Sequence, residues 1–229
     1  MTATIDCGVR SRASARLAVF ASGAGSNFEA LAQAGARAEL GGDIVALLCD
    51  QPGAPVIERA RRFGIEALVL PSPRHRSRLD DEAPWLHALQ ERQVSVVLLA
   101  GFMRRLHATL LDPYAGRMLN IHPSLLPAFK GLDAIGQAYR AGANVTGCTV
   151  HMVEDALDAG PILAQAEVER RADETLEQLE ARVHTAEHVL YPGTVRRFLT
   201  EPWRVDGARV RFGEGPGLSS HIGTAAGNG

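Results

Sequence analysis

The sequence has few cysteines, almost no net charge and no long apolar run, and each shortage excludes a class of protein. Its 229 residues include three scattered cysteines, Cys7, Cys49 and Cys148, without a C-x-x-C pair or a metal-ligand spacing. This usage favours a reduced, cytoplasmic compartment. A formal net charge of −2 offers no electrostatic footprint for nucleic acid or for an anionic membrane. No stretch approaches the length of a membrane span.

The chain also lacks a linker, so we expect one main domain over residues 17–200. Residues 1–16 are expected to be an N-terminal extension. They are not expected to be a signal peptide, because the apolar run Leu17–Ala21 is too short for one. Residues 201–229 are expected to form a C-terminal tail that is partly disordered, since its end is rich in Gly and Ser.

Short apolar runs alternate with helical periodicity, and this order predicts the fold class. The expected strands, which are apolar enough to be buried, are Leu17–Phe20, Ile44–Cys49, Ala67–Leu70 and Val94–Leu99. The expected helices between them are Phe28–Arg37, Ala54–Phe63 and Leu79–Arg92. The order predicts an α/β fold, a Rossmann-like, mostly parallel sheet flanked by helices, with ligands beyond the carboxyl ends of its strands.

The pattern changes after Gly116, and we expect an antiparallel part of the sheet in this C-terminal half. The expected elements are a strand leading into residue 120, a helix over Ala134–Arg140, strands over Val145–Val153 and Ile162–Val168, a long helix over Asp173–Leu199, and a hairpin over Trp203–Phe212 around Asp206-Gly207. Pro192 should break or kink the long helix, because proline lacks the backbone N–H that the helix needs.

One run near the middle, N-I-H-P-S-L-L-P from Asn120 to Pro127, indicates a site. Residues i and i+2 of a strand point to the same face, so Asn120 and His122 should project side by side. The amide can stabilise an oxyanion and the imidazole can move protons, which suits acyl transfer. His122 is equally consistent with a structural histidine, and Asn120 with a turn cap.

The segment Ser22–Asn27, S-G-A-G-S-N, follows the first strand and opens the first helix. Its glycines and the helix N-terminus suit a phosphate, but a plain strand-to-helix turn fits equally well. Phe28 stands where the dinucleotide fingerprint G-x-G-x-x-G needs its third glycine, which argues against a nicotinamide cofactor.

Together these segments resemble the folate-dependent formyltransferases that act on glycinamide ribonucleotide in purine synthesis. The resemblance is carried, in the order of that family, by S-G-A-G-S-N from Ser22, L-L-A-G-F-M-R from Leu98, N-I-H-P-S-L-L-P from Asn120 and G-C-T-V-H-M-V-E-D-A-L-D-A-G-P-I from Gly147. It extends from about Leu17 to about Pro192. It implies the formyltransferase fold and an enzyme that takes a formyl group from 10-formyltetrahydrofolate, its co-substrate, without a metal.

By this resemblance the catalytic residues are Asn120, His122 and Asp158. The family uses the carboxylate to favour the protonated imidazole. From composition alone, the acidic segment Glu154–Gly160 that contains Asp158 is better explained as a solvated loop. His151 shares a strand face with Thr149, and it either lines the site or packs.

The resemblance also divides the substrate-binding residues into two groups. The ribonucleotide is expected to contact Gly25, Ser26, Asn27, His184 and Glu187. The folate is expected to contact Arg78, Met103, Arg104, Arg105, Leu106, Asn120, Glu154 and Asp158. Two of these depart from the family pattern, since Arg105 replaces an apolar residue and His184 replaces a polar amide.

Three rival functions remain from the sequence. They are formylation of initiator methionyl-tRNA, deformylation of formyltetrahydrofolate, and a non-catalytic folate- or nucleotide-binding regulator. The expected partners are small-molecule substrates rather than nucleic acid or a membrane, and the protein is expected to be a monomer or homodimer.

Overall fold

The computed structural model describes residues 14–70, 79 and 81–213, and within these ranges nine strands form one sheet flanked by six helices. The strands are β1 (Ala15–Ala21), β2 (Gly42–Cys49), β3 (Ala67–Val69), β4 (Val96–Leu99), β5 (Met118–His122), β6 (Val145–Met152), β7 (Ile162–Glu169), β8 (Trp203–Asp206) and β9 (Arg209–Phe212). The helices are α1 (Ser26–Ala36), α2 (Pro55–Arg62), α3 (Ala83–Glu91), α4 (Ala108–Leu111), α5 (Ala134–Arg140) and α6 (Leu176–Thr200).

The strands run in the order β3-β2-β1-β4-β5-β6-β7-β9-β8. The pairs from β3 to β5 are parallel, as the alternation of strands and helices requires. The pairs β5–β6 and β6–β7 are antiparallel. The fold class is confirmed, a mostly parallel α/β sheet with an antiparallel part on the C-terminal side.

Two apolar cores lie on the two faces of this sheet. Alternate residues of β1 divide between them: Leu17 and Val19 join the core under α1, α2 and α6, while Ala18 and Phe20 join the core under α3 and α4. On β5 and β6, the face directed toward the α3 side carries polar residues instead. This polar stretch of an otherwise apolar face is where a site can form.

Helix α4 was not predicted from the sequence, and its cap explains why. The buried Glu82 carboxylate accepts hydrogen bonds from the backbone N–H of His107, at 2.6 Å, and of Leu110, at 3.1 Å. Burial raises the pKa of Glu82 despite these bonds. A four-residue helix has little stability of its own, and its cap lies too far along the chain for a local pattern to reveal.

Helix α6 begins at Leu176, because Thr175 and Gln178 form a capping box. It continues through Pro192 to Thr200, so the predicted break was wrong. Buried residues recur every three or four positions along its inner face, and their packing offsets the lost backbone bond. The fully buried Tyr191 hydroxyl also donates toward the carbonyls of Leu99 and Leu119, each 3.0 Å away.

The hairpin over Trp203–Phe212 is confirmed as β8 and β9, and β9 pairs with β7. The expected domain boundary at residue 200 therefore falls between α6 and strands of the same sheet. The expectations for residues 1–13 and for 214–229 lie outside the described residues. None of the helices in the described ranges is long and apolar enough to span a membrane.

Gly147 lies in β6, the strand that also carries Thr149 and His151, and its backbone is close to the neighbouring strand β7. A Cβ atom there would lie 2.0 Å from the Ala166 carbonyl oxygen and 2.9 Å from Leu125 Cδ2. Gly147→Ala should therefore lower the free energy of unfolding by on the order of 3 kcal/mol.

The matched control is Gly193→Ala within α6, where a Cβ would meet nothing within 4 Å. Alanine should stabilise that helix by up to about 1 kcal/mol. Urea denaturation of both variants measures the difference. Equal effects at the two glycines would contradict the packing argument.

Candidate functional site

The antiparallel pairing of β5 with β6 brings together polar residues that lie far apart in the sequence. Asn120 lies opposite His151, and His122 lies opposite Thr149. Both residues of β5 lie inside the strand, with His122 as its last residue. The prediction that Asn120 and His122 share one face at the strand end agrees with this geometry.

His151 holds the Asn120 amide, and its own hydrogen bonds define its tautomer. Nδ1 lies 2.7 Å from the Met152 carbonyl, which can only accept, so this nitrogen carries the proton. Nε2 therefore accepts from Asn120 Nδ2 at 3.1 Å. Burial lowers the pKa of His151, and this effect outweighs the opposing charge of Asp158. A neutral His151 thus fixes which way the Asn120 amide points.

His122 is held on both edges of its ring. Nε2 lies 3.0 Å from the Phe129 carbonyl, so Nε2 carries a proton and donates. Nδ1 faces the Asp158 carboxylate, at 3.6 Å from Oδ2. Both side chains are over nine-tenths buried. Nδ1 is consequently the ring nitrogen that the Phe129 carbonyl leaves unbound, and it faces the Asp158 carboxylate.

Asp158 lies between the two imidazoles. Its Oδ2 accepts from the Gly131 backbone N–H at 2.9 Å, and its Oδ1 lies 3.7 Å from His151 Nε2. Asp158 therefore lies within 4 Å of both imidazoles, and burial lowers the pKa of His151. The structure thus brings together Asn120, His122, Asp158 and His151 in one cluster.

A buried network around Thr149 fixes the turn that follows His122, and the sequence reasoning missed it. The Thr149 hydroxyl donates to the Ser124 carbonyl at 2.6 Å and accepts from the Leu126 N–H at 3.1 Å. Gln165 Nε2 donates to the Leu126 carbonyl and to Thr149 Oγ1, at 2.9 and 3.0 Å. The shared strand face of Thr149 and His151 was the available signal, but the contribution of β7 was not visible.

A cleft of about 110 Å³ opens beside this cluster. Its walls include the expected folate residues Arg104, Arg105, Leu106, Asn120, Glu154 and Asp158, together with His151. The Arg105 side chain crosses to the Asp155 carbonyl at 3.3 Å, so this departure from the family pattern joins the two walls. Met103 is 57% exposed. Arg78 lies outside the described residues.

A larger cavity, of about 470 Å³, lies between α1 and α6. Of the residues expected in the site, its lining includes Ser26 alone. We assign the chemistry to the smaller cleft, because Asn120, His151 and Asp158 line it and His122 lies next to Asp158. Among the described residues, no group of three His, Cys, Asp or Glu side chains is arranged to hold a metal ion.

The Ser22–Asn27 loop joins β1 to α1 as expected. Gly25 is the residue before helix α1 and has a φ of 79°. The backbone N–H groups of the first helical turn, which follows it, have no hydrogen-bond partners within the helix. A Cβ at Gly25 would lie 2.4 Å from Val56 Cγ2. Glycine is thus needed here both for the positive φ and for the close approach of α2.

Glu187 of α6 connects this loop to His184. Its Oε2 accepts from Asn27 Nδ2 and lies 2.9 Å from His184 Nδ1, the same distance as from Asn27. Hydrogen bonding to Glu187 raises the pKa of His184. The oxygen of the Asn27 amide, Oδ1, is buried and has no hydrogen-bond partner among the described residues. The five expected ribonucleotide residues therefore form a second cluster.

The two clusters lie on opposite faces of the sheet at the same edge. Burial, together with the nearby Glu187 carboxylate, raises the pKa of the Cys148 thiol to about 12, which places Glu187 against the apolar-core face of β6. The imidazole cluster occupies the other face. The Ser22 N–H donates to the Gly101 carbonyl at 3.1 Å, so the loop and the cleft wall are in direct contact.

The sequence and the fold were compared with those of known proteins. Residues 15–195 match the family described as formyl transferase. The chain belongs to the formyl transferase family. It is 44% identical over 184 residues to phosphoribosylglycinamide formyltransferase of Bacillus subtilis, a match that covers 80% of this chain and 94% of that protein.

Solved structures of this formyl transferase family share the fold. Glycinamide ribonucleotide transformylase 1 from Geobacillus kaustophilus is 49% identical, with a TM-score of 0.78, over 82% of this chain and 100% of that one. The transformylase 1 from Symbiobacterium toebii is 39% identical, with a TM-score of 0.83, over 87% and 94% of the two chains.

His151 should stay neutral, with its proton on Nδ1, at pH values where an ordinary histidine is largely charged. Its pKa is lowered in the folded protein, so the unfolded chain binds more protons as the pH falls below about 6.5. The associated stability is present above that pH and is lost as the pH falls toward the folded-state pKa. Long-range ¹H–¹⁵N spectra of the imidazoles measure both tautomer and charge. A protonated His151 at pH 7 would contradict this geometry.

Proposed function

We propose that this formyl transferase moves the formyl group of 10-formyltetrahydrofolate to the primary amine of glycinamide ribonucleotide, in purine biosynthesis. The observation that supports it best is the cluster of half-buried Asn120 with the buried side chains of His122 and Asp158 beside the cleft. The family match and the relatives that act on this ribonucleotide add to it. We also propose a cytoplasmic site of action, consistent with the buried free thiols of Cys49 and Cys148.

In this proposal the reaction begins when the neutral amine attacks the formyl carbon and negative charge develops on the formyl oxygen. One Asn120 Nδ2 hydrogen is held by His151, which leaves the other free to donate to that oxygen. The charge of a protonated His122 lies on the same side. Both groups are oriented before the substrate arrives, which is where such sites gain most of their rate.

The tetrahedral intermediate then collapses as the folate nitrogen departs. The attacking amine loses a proton and the folate nitrogen gains one, so a carrier is required. His122 Nδ1 is suited to this role, because Nε2 remains bound to the Phe129 carbonyl and Nδ1 faces the Asp158 carboxylate. Holding both substrates at one edge supplies a further part of the acceleration.

The two substrates occupy the two clusters. We place the ribonucleotide phosphate at Gly25, Ser26 and Asn27, where the first turn of α1 offers backbone N–H donors. Glu187 and His184 lie within reach of the rest of that substrate. The folate ring is placed in the cleft against Met103 to Leu106, with Glu154 and Asp158 on the facing wall. Arg78 retains its proposed folate contact.

The purified protein should consume 10-formyltetrahydrofolate only when glycinamide ribonucleotide is present. The absorbance change on loss of the formyl group follows the reaction. His122→Ala should lower kcat by roughly 10²–10⁴-fold, the usual range for losing a general acid–base group. Consumption of the folate without the ribonucleotide would indicate a deformylase instead. Near-normal turnover by the His122 variant would remove that residue from the mechanism.

A negative charge placed at the first residue of α1 should weaken ribonucleotide binding selectively. Ser26→Asp adds a carboxylate beside the proposed phosphate, while aspartate is favourable at a helix N-terminus and should not harm folding. Affinity for the ribonucleotide should fall by about tenfold or more through like-charge repulsion. Calorimetric titration measures it, with the folate analogue as the second ligand.

The matched control is Ser26→Asn, which has nearly the same size and no charge. It should bind the ribonucleotide more tightly than Ser26→Asp, and both variants should bind the folate analogue like the wild type. Loss of folate affinity with intact ribonucleotide affinity would reverse the placement of the two substrates.

A further inference from the structure

A buried polar cluster lies just after β1 and β2 and in the segment that follows β4, and its carboxylate, Asp50, has no role in the proposed reaction. We call it the Asp50 cluster, and it consists of Ser22, Asp50, Gln51 and Arg104. Asp50 is fully buried and the Arg104 side chain is 6% exposed. Arg104 Nε and Gln51 Nε2 both donate to Asp50 Oδ2, each at 2.7 Å.

Ser22 links this carboxylate to the cleft wall. Its Oγ accepts from the Met103 backbone N–H at 3.0 Å, so the hydroxyl proton is free to point elsewhere. The Ser22 hydroxyl is near enough to the Asp50 carboxylate to lower the pKa of Asp50, and Asp50 Oδ1 has no other hydrogen-bond partner among the described residues. Burial alone raises the pKa of Asp50, but bonds from Ser22, Gln51 and Arg104 and the charge of Arg104 lower it by more. The carboxylate is thus ionised and holds its donors strongly.

The same ion pair holds the Arg104 side chain in place. A guanidinium that left Asp50 would leave a buried carboxylate uncompensated, which is strongly unfavourable. The Arg104 side chain is therefore fixed by Asp50 where it lines the cleft. Ser22 at the same time opens the loop that holds the proposed phosphate site.

We propose that Asp50 is a positioning residue for both substrates, since it fixes the phosphate loop through Ser22 and the folate-binding segment through Arg104. This inference rests on the proposed function for the identity of the two ligands. In this proposal one carboxylate, which contacts neither substrate, sets the position of the phosphate loop relative to the folate-binding segment. The alternative is a cluster that stabilises the fold without affecting either site.

Asp50→Asn tests the inference, with Asp43→Asn as the matched control. Asp43 is an exposed residue at the other end of the same strand, so the control repeats the chemical change without the cluster. In Asp50→Asn the KM for each substrate should rise by about tenfold, as expected for loss of a charged hydrogen-bond acceptor. In Asp43→Asn both KM values should stay within about twofold of the wild type.

The split between KM and kcat separates positioning from stabilisation. A purely stabilising cluster would lower the amount of folded enzyme, and hence the apparent kcat, without changing either KM. Folded Asp50→Asn with unchanged KM values would overturn the inference. If that variant does not fold, Ser22→Ala decides, because it keeps the ion pair and removes the link to Met103. It too should raise both KM values, and wild-type values would overturn the proposal.

Amide hydrogen exchange distinguishes failure of this inference from failure of the proposed function. The Met103 amide should exchange faster in Asp50→Asn and in Ser22→Ala than in the wild type or Asp43→Asn, whatever the substrates are. Protection equal to that of the wild type would refute the link. A wild-type enzyme that does not formylate the ribonucleotide would instead refute the proposed function.

Discussion

The register between β5 and β6 is the constraint on which the site depends. Because this pairing is antiparallel and sets Asn120 against His151 and His122 against Thr149, one face of two strands carries four polar side chains. A shift by one residue would exchange that face for Leu119 and Ile121, which belong to the apolar core. The apolar residues of one face therefore fix the position of the polar residues on the other. One strand register therefore determines both the packing of the core and the geometry of the site.

The turn after β5 orients the His122 side chain, largely through backbone groups. The Phe129 carbonyl holds Nε2, and the Gly131 N–H holds the Asp158 carboxylate that faces Nδ1. Backbone groups cannot change rotamer, so they orient a side chain at little further entropic cost. The Thr149 network in turn holds the beginning of that turn. The imidazole is thus oriented by the chain that follows it.

Much of the fold follows from periodicity in the sequence, as helix α5, predicted over Ala134–Arg140, and the hairpin of β8 and β9 illustrate. Local signals were enough there because each element contains its own pattern. They failed for α4, whose stability comes from Glu82, and at Pro192, where tertiary packing outweighs a lost hydrogen bond. The candidate residues came mainly from family resemblance. No single-strand pattern could show that Asp158 lies between His122 and His151, or that burial lowers the pKa of His151.

The Asn27 Oδ1 atom, which has no hydrogen-bond donor among the described residues, can contribute to the affinity for a ligand. A buried acceptor without a donor costs about 1–3 kcal/mol, and within the part of the chain that the structure describes Asn27 Oδ1 has no donor while its Nδ2 is held by Glu187. A ligand that presents an N–H or O–H group to this oxygen removes the cost as it binds, and gains affinity without a new movement of the chain. An otherwise identical ligand without that donor would leave the cost in place. At Asn27 a small local defect in the free enzyme therefore becomes a means of discriminating between ligands.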